Sequence, residues 1–322
     1  MEAAKNLYSA ELAVLARNIS CNFVDAQTST KDYVRKLSEA GYHSESNPLT
    51  NHFVLSTCLR YEVYDCSKQQ EHRAPLIYSN GTTCIRRLLS ILVGLQSEIK
   101  GEREILSQVS SSIKDSYDKG YLNSTTFRGL QELIFISEQI RQSCGINSDE
   151  NYSTIACDLF IDYLSDCKDA VIAIVGGGYM ADKFFCSILK ADLLNIKKIY
   201  WINRSTSILK ERTVQLSHLL KFDIEILDLQ TGRFVLKEVD AIFCALSKSP
   251  YFYDFNDYSE DCFLVDVSYP QVFSEGKNTR AITISNTHFE NLAREILPKN
   301  KITLADEKID DIINMLDEKL CS

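Results

Sequence analysis

Residues 170–182 read AVIAIVGGGYMAD, and the fold turns on them. The apolar, β-rich run 171–175 has strand length, and Gly176, Gly177 and Gly178 follow it directly. A helical stretch then runs to about residue 190, and 198–202 forms a second apolar run. Strand, glycine turn, helix and strand make a βαβ unit. Further short apolar runs at 223–227, 240–245, 262–267 and 281–285, spaced by helical segments, predict a doubly wound parallel sheet. The order Gly176-x-Gly178-x-x-Ala181 places small residues where a backbone approaches a pyrophosphate at a helix N-terminus, so residues 176–181, including Tyr179 and Met180, are candidate nucleotide contacts. The competing reading is a tight turn without a ligand. At the end of the next strand an NAD site wants an acidic residue for the ribose hydroxyl. Here stand Asn203, Arg204 and Ser205, and a guanidinium beside a hydroxyl suits the 2′-phosphate of NADP, unless Arg204 is only a solvated charge.

Upstream the pattern is different. Residues 11–17 and 30–40 read as helix, and 52–56 and 61–64 as strands joined by a connection carrying Thr57, Cys58, Leu59 and Arg60. From Ile85, apolar residues at spacings of three and four (Leu88, Leu89, Leu92, Leu95, Ile99) predict an amphipathic helix. If that helix continues through Gly101, Ser97, Glu104 and Gln108 fall in a stripe about 40° wide. Another helix, 126–143, is expected to end at Gly145. The polar stretch 145–152 reads as the boundary between two parts. In the charged C-terminal segment, 290–322, Ile309, Ile312, Ile313, Leu316 and Leu320 form an apolar stripe that needs a partner on this chain or on a second subunit.

The 322 residues suffice for about two domains. With 45% apolar and 25% charged residues, the chain is neither disordered nor fibrous. No apolar run approaches the ~18 residues of a membrane span, and residues 1–20 lack a signal-peptide pattern, so a cytoplasmic protein with no membrane partner is expected. A net charge of -9 argues against a general nucleic-acid binder but leaves room for a local basic patch. The eleven cysteines show no C-x-x-C pair, and the five histidines include no H-E-x-x-H, so reduced thiols and no metal site are expected. Among those thiols Cys58 stands out. It lies on a connection two residues before Arg60, whose charge would favour the nucleophilic thiolate. A cysteine taken alone is more often a small buried hydrophobe.

Ser56-Thr57-Cys58-Leu59-Arg60-Tyr61-Glu62-Val63-Tyr64 closely resembles the S-T-C-N-R-x-E-x-Y motif of glutamyl-tRNA reductases. Residues 94–109, GLQSEIKGEREILSQV, resemble their G-L-D-S-x-x-x-G-E-x-Q-I-x-x-Q-V segment, and residues 264–270, LVDVSYP, resemble an I-D-I-A-x-P run. With the glycine turn and the N-R-S element, these matches stand in the family's order from about residue 52 to 290. The resemblance implies an α/β chain in three parts. They are an α+β N-terminal catalytic domain (1–148), a Rossmann-like doubly wound NADP-binding domain (149–290) and a short helical tail (291–322), the remnant of a dimerisation helix. It implies that Cys58 attacks the ester of glutamyl-tRNA(Glu) and that NADPH reduces the thioester to glutamate-1-semialdehyde, the first step of tetrapyrrole synthesis by this route. Thr57, Leu59, Arg60, Ser97, Glu102, Arg103, Glu104 and Gln108 match substrate-recognition positions. The reactive product further implies hand-over to an aminomutase.

This sequence also departs from the family. Where the family has histidine, Arg87 stands, which stays charged and does not transfer protons at neutral pH. A family glutamine is replaced by Glu104, and residues 1–30 lack the G-x-N-H-x-x-A-P strand pattern. These departures keep open a non-catalytic NADP-binding paralogue. A shikimate-dehydrogenase-like oxidoreductase would share the parallel sheet but not need residues 56–109.

Overall fold

The computed structural model describes residues 9–23, 51–56, 60–67, 77–97, 99–146, 151–191, 195–246, 253, 257–268, 271–273, 280–283 and 297–321. Thr57, Cys58, Leu59 and the helix expected at 30–40 lie outside them. Contacts divide the chain into two compact units, Met1–Asp149 with Glu295–Ser322, and Glu150–Arg294.

In the first unit, α1 (Ala10–Asn18) leads into β1 (Ser20–Phe23), followed by β2 (His52–Ser56), β3 (Tyr61–Asp65) and β4 (Ile77–Asn80). The four strands form an antiparallel sheet in the order β2-β3-β1-β4. Helices α2 (Gly81–Leu92), α3 (Glu104–Asp118) and α4 (Ser124–Ser143) follow. Their apolar stripes enter one core with Leu12, Ile19, Phe53, Leu88, Ile113 and Leu133. β1 lies in the interior of the sheet although residues 1–30 show no family strand pattern.

The helix expected through Gly101 is a correction. α2 stops at Leu92 because Gly94 adopts φ +86° and closes a Schellman cap, its N–H donating to Ile91 O (2.9 Å) and the Leu95 N–H to Ser90 O (2.8 Å). A Cβ on Gly94 would also stand 2.9 Å from the Cα of Gly101. Residues 93–101 are therefore a folded loop, and the helical stripe of Ser97, Glu104 and Gln108 does not form. The end of α4 before Gly145 agrees with expectation.

The C-terminal helix α9 (Lys299–Cys321) buries Ala305, Ile309, Ile312 and Leu316 in the same core. Each buried Ile or Leu contributes roughly 1.5–3 kcal/mol relative to exposure. Arg86 pairs with Asp310 (2.7 Å), and Lys301 Nζ donates to Gly145 O (2.7 Å). The stripe that lacked a partner in sequence thus docks on its own chain, within the first unit rather than as a separate tail.

The second unit starts with α5 (Tyr152–Leu164), capped by Asn151, and continues through β5 (Ala170–Val175), α6 (Tyr179–Ala191), β6 (Ile196–Ile202), α7 (Thr206–Leu216), β7 (Asp223–Leu227) and α8 (Leu229–Val235). Strands β8 (Ala241–Cys244), β9 (Phe263–Asp266) and β10 (Ala281–Thr283) complete an all-parallel sheet in the order β10-β9-β8-β5-β6-β7. That is the Rossmann order, with its switch point between β5 and β8. Leu229 and Leu236 pack with Ala173, Val175, Ile242 and Cys244 on one face. On the other, Phe184 stacks on Phe243 and Phe185 lies against Trp201.

Candidate functional site

In the first unit the antiparallel register places four side chains together. Phe23 of β1 lies opposite Glu62 of β3, and Cys21 opposite Tyr64. Glu62 is 0% exposed, and a carboxylate in such a place needs compensating charge and hydrogen bonds. It receives both. Arg87 of α2 donates from Nη2 to Oε1 (2.7 Å) and from Nε to Oε2 (3.2 Å), a bidentate clasp. Arg60 Nε approaches Oε1 at 3.1 Å, and the Tyr64 hydroxyl donates to Oε2 at 2.6 Å. The Arg87 guanidinium also lies 3.4 Å from the centre of the Phe23 ring. Burial, reinforced by the Glu62 charge, pushes the Tyr64 phenol and the Cys21 thiol well above their ordinary ranges, so both are neutral. Burial lowers the Arg87 pKa, but the hydrogen bonds and charge of Glu62 outweigh it and leave a net rise.

Arg60 joins this cluster to the glycine-closed loop, because its Nη2 donates to the Gln96 carbonyl (2.8 Å). Ser97, next in that loop, is buried, and Glu102 and Glu104 are half-buried, whereas Arg103 and Gln108 are exposed. Arg141, a buried side chain of α4, anchors the loop from beneath. It donates to Val93 O (2.7 Å), Gly101 O (2.8 Å) and Glu102 O (3.2 Å). Neither Arg141 nor Glu62 was a site candidate from sequence. For Glu62 a signal existed, since an acid at i and a tyrosine at i+2 share one face of a strand that is otherwise core.

The second unit builds its candidate site from backbone. Gly176, buried with φ +127°, ends β5, and a Cβ there would lie 2.4 Å from Ala245 O at the end of β8. Its N–H donates to Ile202 O (2.8 Å), and its carbonyl accepts from the Trp201 indole (2.8 Å). Gly177 lies against Asn203, where a Cβ would stand 2.4 Å from Nδ2, whereas Gly178 is exposed with open space at its Cβ position. Close packing beneath and open backbone above, at the N-terminus of the 13-residue α6, fit a dinucleotide pyrophosphate. Tyr179 is exposed, the Met180 carbonyl accepts from Ser153 Oγ (2.8 Å), and Ala181 is fully buried where α6 meets the sheet. Asn203 Nδ2 donates to Ser205 O (3.0 Å), which shapes the turn on which Arg204 and Ser205 are exposed. An ion pair between Arg212 of α7 and Asp182 of α6 braces this end of the sheet, a contact that sequence did not suggest.

Among the described residues, no group of three or more His, Cys, Asp or Glu side chains could hold a metal ion. No described helix is long and apolar enough to cross a membrane.

Residues 17–144 match the family of the glutamyl-tRNAGlu reductase N-terminal domain. The glutamyl-tRNA reductase of Thermus thermophilus is 26% identical over 232 residues, which cover 68% of this chain and 57% of that protein. The matched domain and this relative support membership of the glutamyl-tRNA reductase family. The glutamyl-tRNA reductase of Pyrobaculum aerophilum is 23% identical over 250 residues, covering 73% of this chain and 60% of the relative. The chain thus spans about three-fifths of the length of these curated relatives. The solved glutamyl-tRNA reductase of Methanopyrus kandleri is similar at 19% identity with a TM-score of 0.49, over 94% of this chain and 80% of that one. Both first-unit motifs read from sequence, at 56–64 and 94–109, lie inside the matched glutamyl-tRNA reductase domain. Where the resemblance implies a histidine, this chain carries Arg87, clasped to Glu62.

Proposed function

We propose that this chain is an NADPH-dependent glutamyl-tRNA(Glu) reductase that forms glutamate-1-semialdehyde through a thioester on Cys58. The observation that carries the reading is the double anchoring of Arg60, two residues after Cys58 in sequence, on Glu62 and on the Gln96 carbonyl within the matched domain. In this mechanism the Cys58 thiolate attacks the ester carbonyl, the acyl–oxygen bond breaks, and the tRNA leaves as its free ribose hydroxyl after taking up a proton. Hydride addition to the thioester carbonyl then breaks the carbon–sulfur bond, returning the thiolate and releasing the aldehyde. The reduced dinucleotide supplies that hydride when bound. The backbone at Gly178 and the N-terminus of α6 would hold its pyrophosphate, and Arg204 with Ser205 would take its 2′-phosphate. Thr57, Leu59, Ser97, Glu102, Arg103, Glu104 and Gln108 are the proposed substrate contacts beside Arg60. Arg87 stays charged throughout and moves no proton.

Within this reading the protein is cytoplasmic, initiates tetrapyrrole synthesis, and passes its reactive product to an aminomutase. The test is the conversion of charged glutamyl-tRNA and NADPH to semialdehyde, with loss of conversion in Cys58→Ser. Arg87 is the observation that favours the second reading, a module that binds charged tRNA without reducing it. Association of the tRNA with no aldehyde formed would select that module.

A further inference from the structure

The chain has one tryptophan, and its indole is committed to the glycine turn. Trp201 is fully buried near the end of β6, where it stands opposite Ile174 of β5. Phe185 of α6 lies against the ring, 4.6 Å between centroids, so the indole is packed in one orientation. Its N–H donates to the Gly176 carbonyl at 2.8 Å. β6 therefore holds Gly176 on both sides. The Ile202 carbonyl accepts its N–H, and Trp201 supplies a donor to its carbonyl, which at φ +127° is satisfied by a side chain instead of the strand ladder. A peptide unit is planar and trans, so a C=O and the N–H that follows it point in opposite directions. Fixing the Gly176 carbonyl against the buried indole thus aims the Gly177 N–H away from it. Gly177 is half-buried, and Gly178 beyond it is exposed with open space. Among the described residues the Gly177 N–H has no backbone acceptor.

We infer that Trp201 is a positioning residue for the dinucleotide: its indole sets the peptide between Gly176 and Gly177 so that the Gly177 N–H faces the pyrophosphate. This rests on the dinucleotide reading of the turn and deepens it. Glycine spacing marks where the backbone is open, and the indole decides which way its amide points. Without that donor the carbonyl turns toward water, and part of the population presents an oxygen rather than an N–H to the phosphates. Affinity then falls with the fraction that keeps the competent orientation.

Two probes separate orientation from folding. 2′-Phospho-ADP-ribose carries the pyrophosphate and adenosine 2′-phosphate lacks it, while both carry the adenosine and the 2′-phosphate of NADPH. Calorimetry on the full chain reads each. Trp201→Phe should weaken 2′-phospho-ADP-ribose about three- to tenfold, the effect of one hydrogen bond, and leave adenosine 2′-phosphate within about twofold of native. General loosening of the unit would weaken both alike. Phenylalanine also leaves a void, so a second variant replaces the one tryptophan biosynthetically by 3-benzothienylalanine, which keeps the bicyclic shape and has sulfur in place of the N–H. The same split is expected from it. If Trp201→Phe does not fold, as judged by circular dichroism, the sulfur analogue decides. An unchanged ratio of the two affinities in the analogue overturns the role of Trp201 and leaves the dinucleotide reading standing. Binding of neither probe to the native protein removes that reading and the inference with it.

Discussion

Among the described residues each unit buries one carboxylate completely, Glu62 and Asp266, and the two are satisfied in opposite ways. Glu62 in the first unit is held by side chains, those of Arg60 and Tyr64 two residues to either side and that of Arg87 on a separate helix. Asp266 in the second unit, at the end of β9, is held by its own following loop. Its oxygens accept the N–H groups of Ser268 (2.9 Å), Val272 (2.8 Å) and Phe273 (2.9 Å). Burial raises the Asp266 pKa, against the pull of the Ser268 hydroxyl and these amides. The first arrangement makes a charged centre built from side chains. The second makes a rigid loop beside a site whose contacts are backbone. Ser268 carries that rigidity to the next strand, its Oγ accepting from the Leu246 N–H (3.0 Å).

The largest expected effect breaks the side-chain arrangement. Glu62→Leu leaves two partly buried guanidiniums without their counter-charge and should destabilise the protein by about 3–5 kcal/mol, read from the urea midpoint. A loss below about 1 kcal/mol would show that the cluster is solvated and that the contrast with Asp266 is false.

Asp266→Asn comes next, at about 2–3 kcal/mol, because the amide nitrogen or the single remaining oxygen cannot accept all three N–H groups. It also has a pH signature. With its pKa raised in the folded state, Asp266 keeps its proton where the unfolded chain has lost it. Its stabilising contribution is therefore fullest below the unfolded value and falls as pH rises through the folded one. Stability of Asp266→Asn should accordingly vary less with pH from the ordinary carboxylate range up to that raised value. Identical slopes in the native protein and the variant would contradict this account of the loop.

The legibility of the two units follows the same division. All the strands of the second unit's sheet stand where short apolar runs occur in sequence, and the glycine turn lies where its spacing predicts, because a backbone site is written in consecutive residues. β1 and β4 in the first unit are four residues each, too short for periodicity to reveal, although β1 holds the sheet together. The run of apolar residues from Ile85 to Ile99 reads as one helix, since spacing alone does not show that Gly94 and Gly101 touch. The Glu62 cluster draws on residues 21, 23, 60, 62, 64 and 87, which only strand register and the docking of α2 bring together. Arg87 was visible as an unusual residue; its partner was not.

The smallest effects sharpen the comparison on the backbone side. Gly176→Ala should destabilise the second unit by about 1–3 kcal/mol, since its Cβ would meet Ala245 O at a positive φ. Gly178→Ala should stay within about 0.5 kcal/mol of native stability, because the space there is open, yet weaken NADPH binding measured by fluorescence titration. Equal NADPH affinity in Gly178→Ala and the native protein would remove the pyrophosphate from that position.

In the proposed reaction Cys58 captures the acyl group before reduction. Incubating the protein with radiolabelled glutamyl-tRNA in the absence of reduced cofactor, followed by peptide mass spectrometry, tests it most directly. A glutamyl adduct on Cys58 that disappears as semialdehyde when NADPH is added is the predicted result. Bound charged tRNA with no label transferred to the protein would contradict it.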